Sequence, residues 1–79
     1  MAADVEATKI ARSQISRRSI DTSYLTIRVT HGVCYLTGVI KTLRAHPEVE
    51  LQKEMEIIST ILRGKPGIRE VVWETTLRT

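Results

Sequence analysis

The stretch LTIRVTHGVCYLTGVI, residues 25–40, decides the fold of this chain. Apolar and polar residues alternate from Leu25 to Thr30, the period of a strand with one buried face. A second apolar run, Val33 to Ile40, follows after only His31-Gly32. A two-residue loop that ends in glycine favours a type I′ turn. The sequence therefore predicts a β-hairpin.

The same alternation predicts the register of the hairpin. If Thr30 pairs with Val33, the apolar positions of the two strands lie opposite each other. The expected pairs are Val29 with Cys34, Ile27 with Leu36 and Leu25 with Gly38. Cys34 is then a small buried apolar residue and not a reactive thiol. Gly38 leaves room for the close approach of a helix or marks a bend.

Length and composition limit what surrounds this hairpin. The chain has 79 residues, enough for one domain with a single core, and we treat residues 1–79 as that domain. It has no Phe and one Trp, so Ile, Val and Leu must form the core. A single Cys cannot form an internal disulfide. The net charge of +3 permits an anionic partner without demanding one.

The N-terminal residues carry no targeting signal that we recognise. The opening MAADVEATKI has neither a basic start nor an apolar core of the kind that signal peptides have. We therefore expect a cytoplasmic protein. A periplasmic or envelope location is expected instead if this sequence is part of a longer exported chain.

Two amphipathic helices are predicted, one on each side of the hairpin. The first should run from Asp4, as its N-cap, to about Arg17, and the second should have Pro47 in its first turn and end at Gly64. Arg17 and Arg18 either cap the first helix or contact an anion, within a loop over residues 16–23. The expected buried positions are Ala3, Ala7, Ile10, Ala11 and Ile15 in the first helix, opposite Lys9, Arg12 and Ser16, and Leu51, Met55, Ile58 and Leu62 in the second, widened by Ile57 and Ile61.

A third strand completes the predicted fold. Pro66 and Gly67 suit the centre of a type II turn, and an alternating strand follows from Glu70 to Leu77, with Trp73 facing a helix or an edge of the core. The order is helix, strand, strand, helix, strand. We expect an α+β domain in which both helices pack on one face of a three-stranded sheet.

With this order in hand, the chain resembles the BON domain, a family named for bacterial osmotic-shock and nodulation proteins. The resemblance covers roughly residues 10 to 77. It rests on Ile27, Val29, His31, Gly32, Val33, Cys34, Leu36, Gly38 and Ile40, and then on Pro66, Gly67, Ile68 and Val71. The chain departs from the family pattern at His31, where Asn is usual, at Trp73, where Asn is frequent, and in the longer segment between Gly38 and Gly67.

The resemblance implies a non-catalytic module that binds phospholipid or membrane surfaces, or attaches to proteins, without a cofactor. For a membrane surface the candidate residues are Arg28, Tyr35, Lys41 and Arg44. Arg28 and Tyr35 should be cross-strand neighbours on the outer face of the sheet, and Lys41 and Arg44 should lie in the long connection after it. Each basic group near an anionic membrane contributes about 1 kcal/mol of favourable binding free energy. Scattered basic residues that only keep a small domain in solution give the same pattern.

The alternative is a protein-interaction or self-assembly module. Its candidate residues are Val33, Tyr35 and Val39, joined by Val72 and Tyr24, which should make the outer face more apolar than solvent requires. β-propensity alone would also place Val and Tyr there. Nucleic-acid binding is disfavoured because the chain has no GXXG loop and no aromatic pair on one strand. An enzyme is disfavoured because His31 and His46 should lie at opposite ends of the second strand.

Overall fold

The computed structural model describes residues 2–78, and the side chains of residues 5–78. Five elements follow in the predicted order: α1 (Ala2–Ser16), β1 (Ile20–Thr30), β2 (Val33–Thr42), α2 (Leu51–Arg63) and β3 (Glu70–Arg78). The sheet order is β1-β2-β3, with β1 antiparallel and β3 parallel to the central strand β2. The predicted α+β class and element order are confirmed.

The hairpin has the turn and the register that its sequence predicts. His31 and Gly32 have φ angles of 52° and 80°, so both central residues are in the left-handed region that a type I′ turn requires. Thr30 pairs with Val33, and the other expected pairs follow down the ladder: Val29 with Cys34, Ile27 with Leu36 and Leu25 with Gly38. The two-residue turn and the alternation of apolar and polar residues are enough to specify this register.

β1 is longer than predicted, because it begins at Ile20 within the segment expected to be a loop. Its ladder with β2 is interrupted by a bulge between Asp21 and Tyr24. Gly38 lies next to this bulge with a φ of 116°, and a Cβ there would collide with the main-chain carbonyl oxygen of Tyr24. The close approach expected at Gly38 is therefore made by the neighbouring strand and not by a helix.

Both helices pack on one face of the sheet, as predicted. The core combines Ala7, Ala11 and Ile15 of α1 with Leu51, Ile58 and Leu62 of α2, over the inner side chains of the strands. Ile10 is half-buried, and the side chain of Ala3 lies outside those described. The prediction that Asp4 caps α1 is wrong, because the helical backbone already begins at Ala2.

The start of α2 was also predicted wrongly. Pro47 lies in a turn region before the helix, where Val49 N–H donates to the carbonyl of His46 at 3.3 Å. The helix starts at Leu51 with Glu50 as its N-cap residue. Gly64 closes it with an ordinary right-handed φ of −85°. Ile57, expected to widen the buried face, is 37% exposed.

β3 is joined to α2 by the turn that follows the helix and by a hydrogen bond to the helix itself. The predicted type II turn is present, because Gly67 has a φ of 85° and Ile68 N–H donates to Lys65 O at 3.2 Å. Trp73 faces α2, where its Nε1–H donates to Ser59 Oγ at 2.7 Å. The two helices therefore cover the inner face of the sheet.

Candidate functional site

Within residues 2–78, neither α1 nor α2 packs on the opposite face of the sheet. Along β2, Cys34, Leu36 and Ile40 are fully buried on the inner side, so the alternate residues point outward. We call this side the outer face. Its members are Asp21, Tyr24, Thr26, Arg28 and Thr30 of β1, Val33, Tyr35, Thr37, Val39 and Lys41 of β2, and Glu70, Val72, Glu74, Thr76 and Arg78 of β3.

An apolar stripe runs along the centre of the outer face. Val33, Tyr35 and Val39 of β2 are half-buried, and Val72 lies beside Tyr35 in the register of β3. Tyr24, beside Val39 on β1, is 66% exposed. These are the residues that the sequence proposed as a partner surface, and the sheet brings all of them onto one face. Such a patch is the usual mark of an interaction surface.

Each tyrosine of the outer face has a cation over its ring. The guanidinium carbon of Arg28 lies 5.9 Å from the ring centroid of Tyr35, its direct cross-strand neighbour. Lys41 Nζ lies 5.1 Å from the ring centroid of Tyr24. Both distances are within the range of cation–π attraction, which is worth about 0.5–1 kcal/mol at exposed sites. Each tyrosine is therefore paired with a cation of the neighbouring strand.

The charges on the outer face follow a pattern across the strands. Near the hairpin turn, β1 carries Arg28, whereas β3 carries Glu70 and Glu74. At the other end of the sheet the signs are exchanged, because Asp21 of β1 and Arg78 of β3 lie on either side of Lys41. At each end of the sheet, the charge on β1 is therefore opposite in sign to the charge on β3.

Hydrogen bonds from Ser23, within the bulge of β1, keep the carboxylate of Asp21 in its ionised form. Ser23 donates to Asp21 Oδ1 from its hydroxyl at 2.6 Å and from its main-chain N–H at 2.9 Å. These bonds, the hydroxyl first, lower the pKa of Asp21 below its ordinary value. Asp21 therefore contributes a negative charge next to Lys41 at neutral pH.

Three of the four residues proposed for a membrane surface lie on the outer face. Arg28 and Tyr35 are adjacent, as predicted. Lys41 was expected in the connection after β2 but belongs to the strand itself, which extends to Thr42. It is six residues from Tyr35, or roughly 20 Å along the strand. Arg44 is exposed in the connection and does not join the face. The four residues do not form one compact pocket.

Cys34 and the two histidines do not form a shared centre. Cys34 is fully buried, and burial raises the pKa of its thiol to about 11. His31 lies in the hairpin turn and His46 in the connection beyond the other end of β2. Among the described residues, no three His, Cys, Asp or Glu side chains are grouped so that they could hold a metal ion.

Comparisons with known proteins identify no relative of this chain. No family model, curated protein or solved structure matches the chain. The resemblance to BON domains therefore stays a prediction. Within the part of the chain that the structure describes, the helices are too short or too polar to cross a membrane.

Two groups of charged residues were not recognised as sites from the sequence, although an anion contact was one of the two roles expected for Arg18. Glu54 of α2 is 9% exposed and forms a two-point ion pair with Arg18, whose Nε and Nη2 lie 2.8 and 3.0 Å from its carboxylate oxygens. The sequence does contain a signal for this pair. Glu54 is an acidic residue three positions after Leu51, on the apolar side of the predicted helix. Lys9 and Arg12, recognised only as the polar side of α1, line a groove along the free edge of β1.

Proposed function

We propose that this chain is a non-catalytic protein-interaction domain that associates with a second copy of itself through the outer face. The observation that carries the proposal is the combination of an uncovered apolar stripe with charges of opposite sign on the two flanking strands. A two-fold axis parallel to β2 would lay the stripe of one copy on that of the other. It would also place β1 of each copy over β3 of its partner.

This arrangement pairs the charges at both ends of the sheet. Near the turn, Arg28 of one copy would lie between Glu70 and Glu74 of the other copy. At the far end, Asp21 would lie opposite Arg78. Lys41 is near the axis, but its amine leans over the ring of Tyr24. Charge complementarity of this kind fixes the register of an interface and disfavours other partners.

The size of the face indicates a reversible association. Three strands spaced by about 4.8 Å and a rise of about 3.3 Å per residue give a face of roughly 14 by 26 Å. That is smaller than the standard stable interface, which buries about 800 Å² on each partner. We therefore expect a dimer that dissociates on dilution in the micromolar range or above.

The experiment is sedimentation equilibrium over a wide range of protein concentration. The mean mass should rise from monomer towards dimer, and Val39→Glu should hold it at the monomer value because a charge would enter the apolar stripe. Ile57→Glu, the same kind of change at an exposed position of α2, is the control and should dimerise normally. A monomer at every concentration, or equal loss in both variants, contradicts the proposal.

A membrane surface is the second candidate, favoured by Arg28, Lys41 and the exposed Arg44 and by the resemblance to BON domains. Glu70, Glu74 and Asp21 lie on the same face and oppose binding to anionic lipid. The test is co-sedimentation with vesicles of phosphatidylserine and phosphatidylcholine, and with phosphatidylcholine alone. Salt-sensitive binding to the first alone, lost in Arg44→Glu, supports this candidate. Equal recovery with both excludes it.

The compartment in this proposal is the cytoplasm, the expectation drawn from the sequence. Self-association through the outer face does not depend on that choice, because it needs only the strands and the charges that they carry. The two candidate functions depend on different residues, and the experiments measure this difference directly. Dimerisation depends on Val39, whereas attachment to anionic lipid depends on Arg44.

A further inference from the structure

β1 is an edge strand, and its free edge is open beneath α1. Two cavities, of about 360 and 390 Å³, lie end to end along it between the helix and the strand. Arg12 lines both of them, so they form one groove. We call this the edge groove. It is separate from the apolar stripe of the outer face.

The main chain of β1 offers unpaired groups to this groove. In a two-residue hairpin the turn-closing pair, Thr30 with Val33, is hydrogen-bonded, and the pairs then alternate. The N–H and C=O groups of Val29, Ile27 and Leu25 therefore point away from β2 towards the free edge. The structure agrees at Val29, whose N–H donates to Thr8 Oγ1 of α1 at 3.1 Å.

Thr8 closes the edge only at Val29. Farther along, Leu25 and Ile27 line the groove together with Ser16 of α1. No strand among residues 2–78 pairs with β1 on this side. An edge with free main-chain groups is a template for an added strand. The open part is long enough for a short extended segment.

The charges of the groove all have one sign. Lys9 and Arg12 of α1 and Arg28 of β1 line it, and no described aspartate or glutamate lines either cavity. Among residues 5–78, none of these three cations is ion-paired with a carboxylate. A second copy of the chain at this edge would bring these cations towards their counterparts. An acidic partner would find Lys9 and Arg12 without a carboxylate partner among the described residues.

We propose that the edge groove binds an extended acidic peptide segment, which adds a strand antiparallel or parallel to β1 at Leu25–Ile27 and places carboxylates near Arg12 and Lys9. Main-chain hydrogen bonds would hold the segment, and the cations would select acidic side chains. This surface shares Arg28 with the outer face, but it is built on the free edge of β1 and on Lys9 and Arg12 of α1, which take no part in the proposed self-association. Either proposal can fail without the other.

The test uses the full chain and a fluorescent, acetylated peptide of alternating glutamate and valine. Binding is followed by fluorescence anisotropy, in the wild-type chain and in Val39→Glu, and should be equal in both. Replacing glutamate by lysine in the peptide should abolish binding. Methylating alternate peptide nitrogens keeps the charge but removes the main-chain donors, and should weaken binding at least about tenfold, because those hydrogen bonds carry the affinity.

Two variants of the chain complete the experiment. Arg12→Glu should weaken binding by roughly tenfold, because an attraction becomes a repulsion at an exposed site. Lys53→Glu, the same charge change at an exposed position of α2, should bind as the wild type does. Circular dichroism shows whether both are folded. The proposal is overturned by an absence of wild-type binding, by equal effects of the two variants, or by full binding of the methylated peptide.

Discussion

The two faces of β2 are built from the same run of sequence, yet they are covered to different extents. Its inner residues Cys34, Leu36 and Ile40 are fully buried, whereas Val33 and Tyr35 on the outer face are only partly covered. The inner face alone is needed to attach the helices to the sheet. The outer face is therefore free to carry an interaction surface. The difference indicates that substitutions on the two faces will have separable effects.

The largest expected effect is on the inner face. Leu36→Ala should lower the free energy of unfolding by about 2–5 kcal/mol, because it leaves a cavity under both helices. Val39→Ala on the outer face should cost less than about 1 kcal/mol, since that side chain is already partly in water. Urea denaturation of both variants measures the difference. Equal losses would show that the outer face is part of the core.

A second effect is expected at Gly38, beside the bulge of β1. Gly38→Ala should cost about 2–3 kcal/mol, because φ is 116° there and the new Cβ would collide with the carbonyl of Tyr24. Gly64→Ala is the matched control, since Gly64 has a φ of −85° and its Cβ would make only ordinary contacts. Thermal unfolding should show no loss, or a small gain, for that control. Similar losses would contradict the strain at Gly38.

Sequence reasoning was most successful where the signals are local. The turn at His31-Gly32, the register of the hairpin and the turn at Pro66-Gly67 follow from backbone preferences of a few residues and from alternation. Helix starts were less well predicted. Pro47 is as compatible with a turn as with a first helical turn, and α2 begins only at Leu51, whose side chain is buried in the core.

The features that were missed depend on contacts between distant parts of the chain. Arg18 and Glu54 are 36 positions apart, and neither residue alone shows that they form a pair. The charge pattern of the outer face requires that β3 be parallel to β2, which the element order did not fix. The edge groove likewise requires β1 to be an edge strand. Alternation identified the apolar stripe without these facts.

The ion pair between Arg18 and Glu54 gives an intermediate effect that depends on pH. Arg18→Ala should cost about 2 kcal/mol at neutral pH, because it leaves the mostly buried carboxylate of Glu54 without its partner. Hydrogen bonding from Arg18 lowers the pKa of Glu54 below its ordinary value of 4.5. A lowered pKa means that the stabilisation is present above that ordinary value and is lost as the pH falls through the folded-state pKa.

The difference between wild type and Arg18→Ala should therefore shrink in acid. Urea denaturation at neutral pH and again near pH 3 measures it. Arg17→Ala, at the exposed neighbouring position, is the control and should have little effect at either pH. A difference that stays constant, or that grows as the pH falls, would contradict the account of this pair.

The smallest effect on stability is expected on the outer face. Tyr35→Thr should change the free energy of unfolding by less than about 1 kcal/mol, because it removes a half-exposed ring and one exposed cation–π contact but keeps a good strand-forming residue. The same change should weaken self-association, which sedimentation measures. A loss of stability with unchanged association would show that the outer face contributes to the stability of the fold and not to an interface.

The proposed dimer is tested most directly by sedimentation equilibrium of variants in which charges of the outer face are exchanged. Arg28→Glu should weaken the dimer by setting a carboxylate between Glu70 and Glu74 of the second copy. Combining Arg28→Glu with Glu70→Arg and Glu74→Arg restores opposite charges across the proposed interface and should restore dimerisation. If the combined variant is as monomeric as Arg28→Glu while still folded, the proposed two-fold arrangement is wrong.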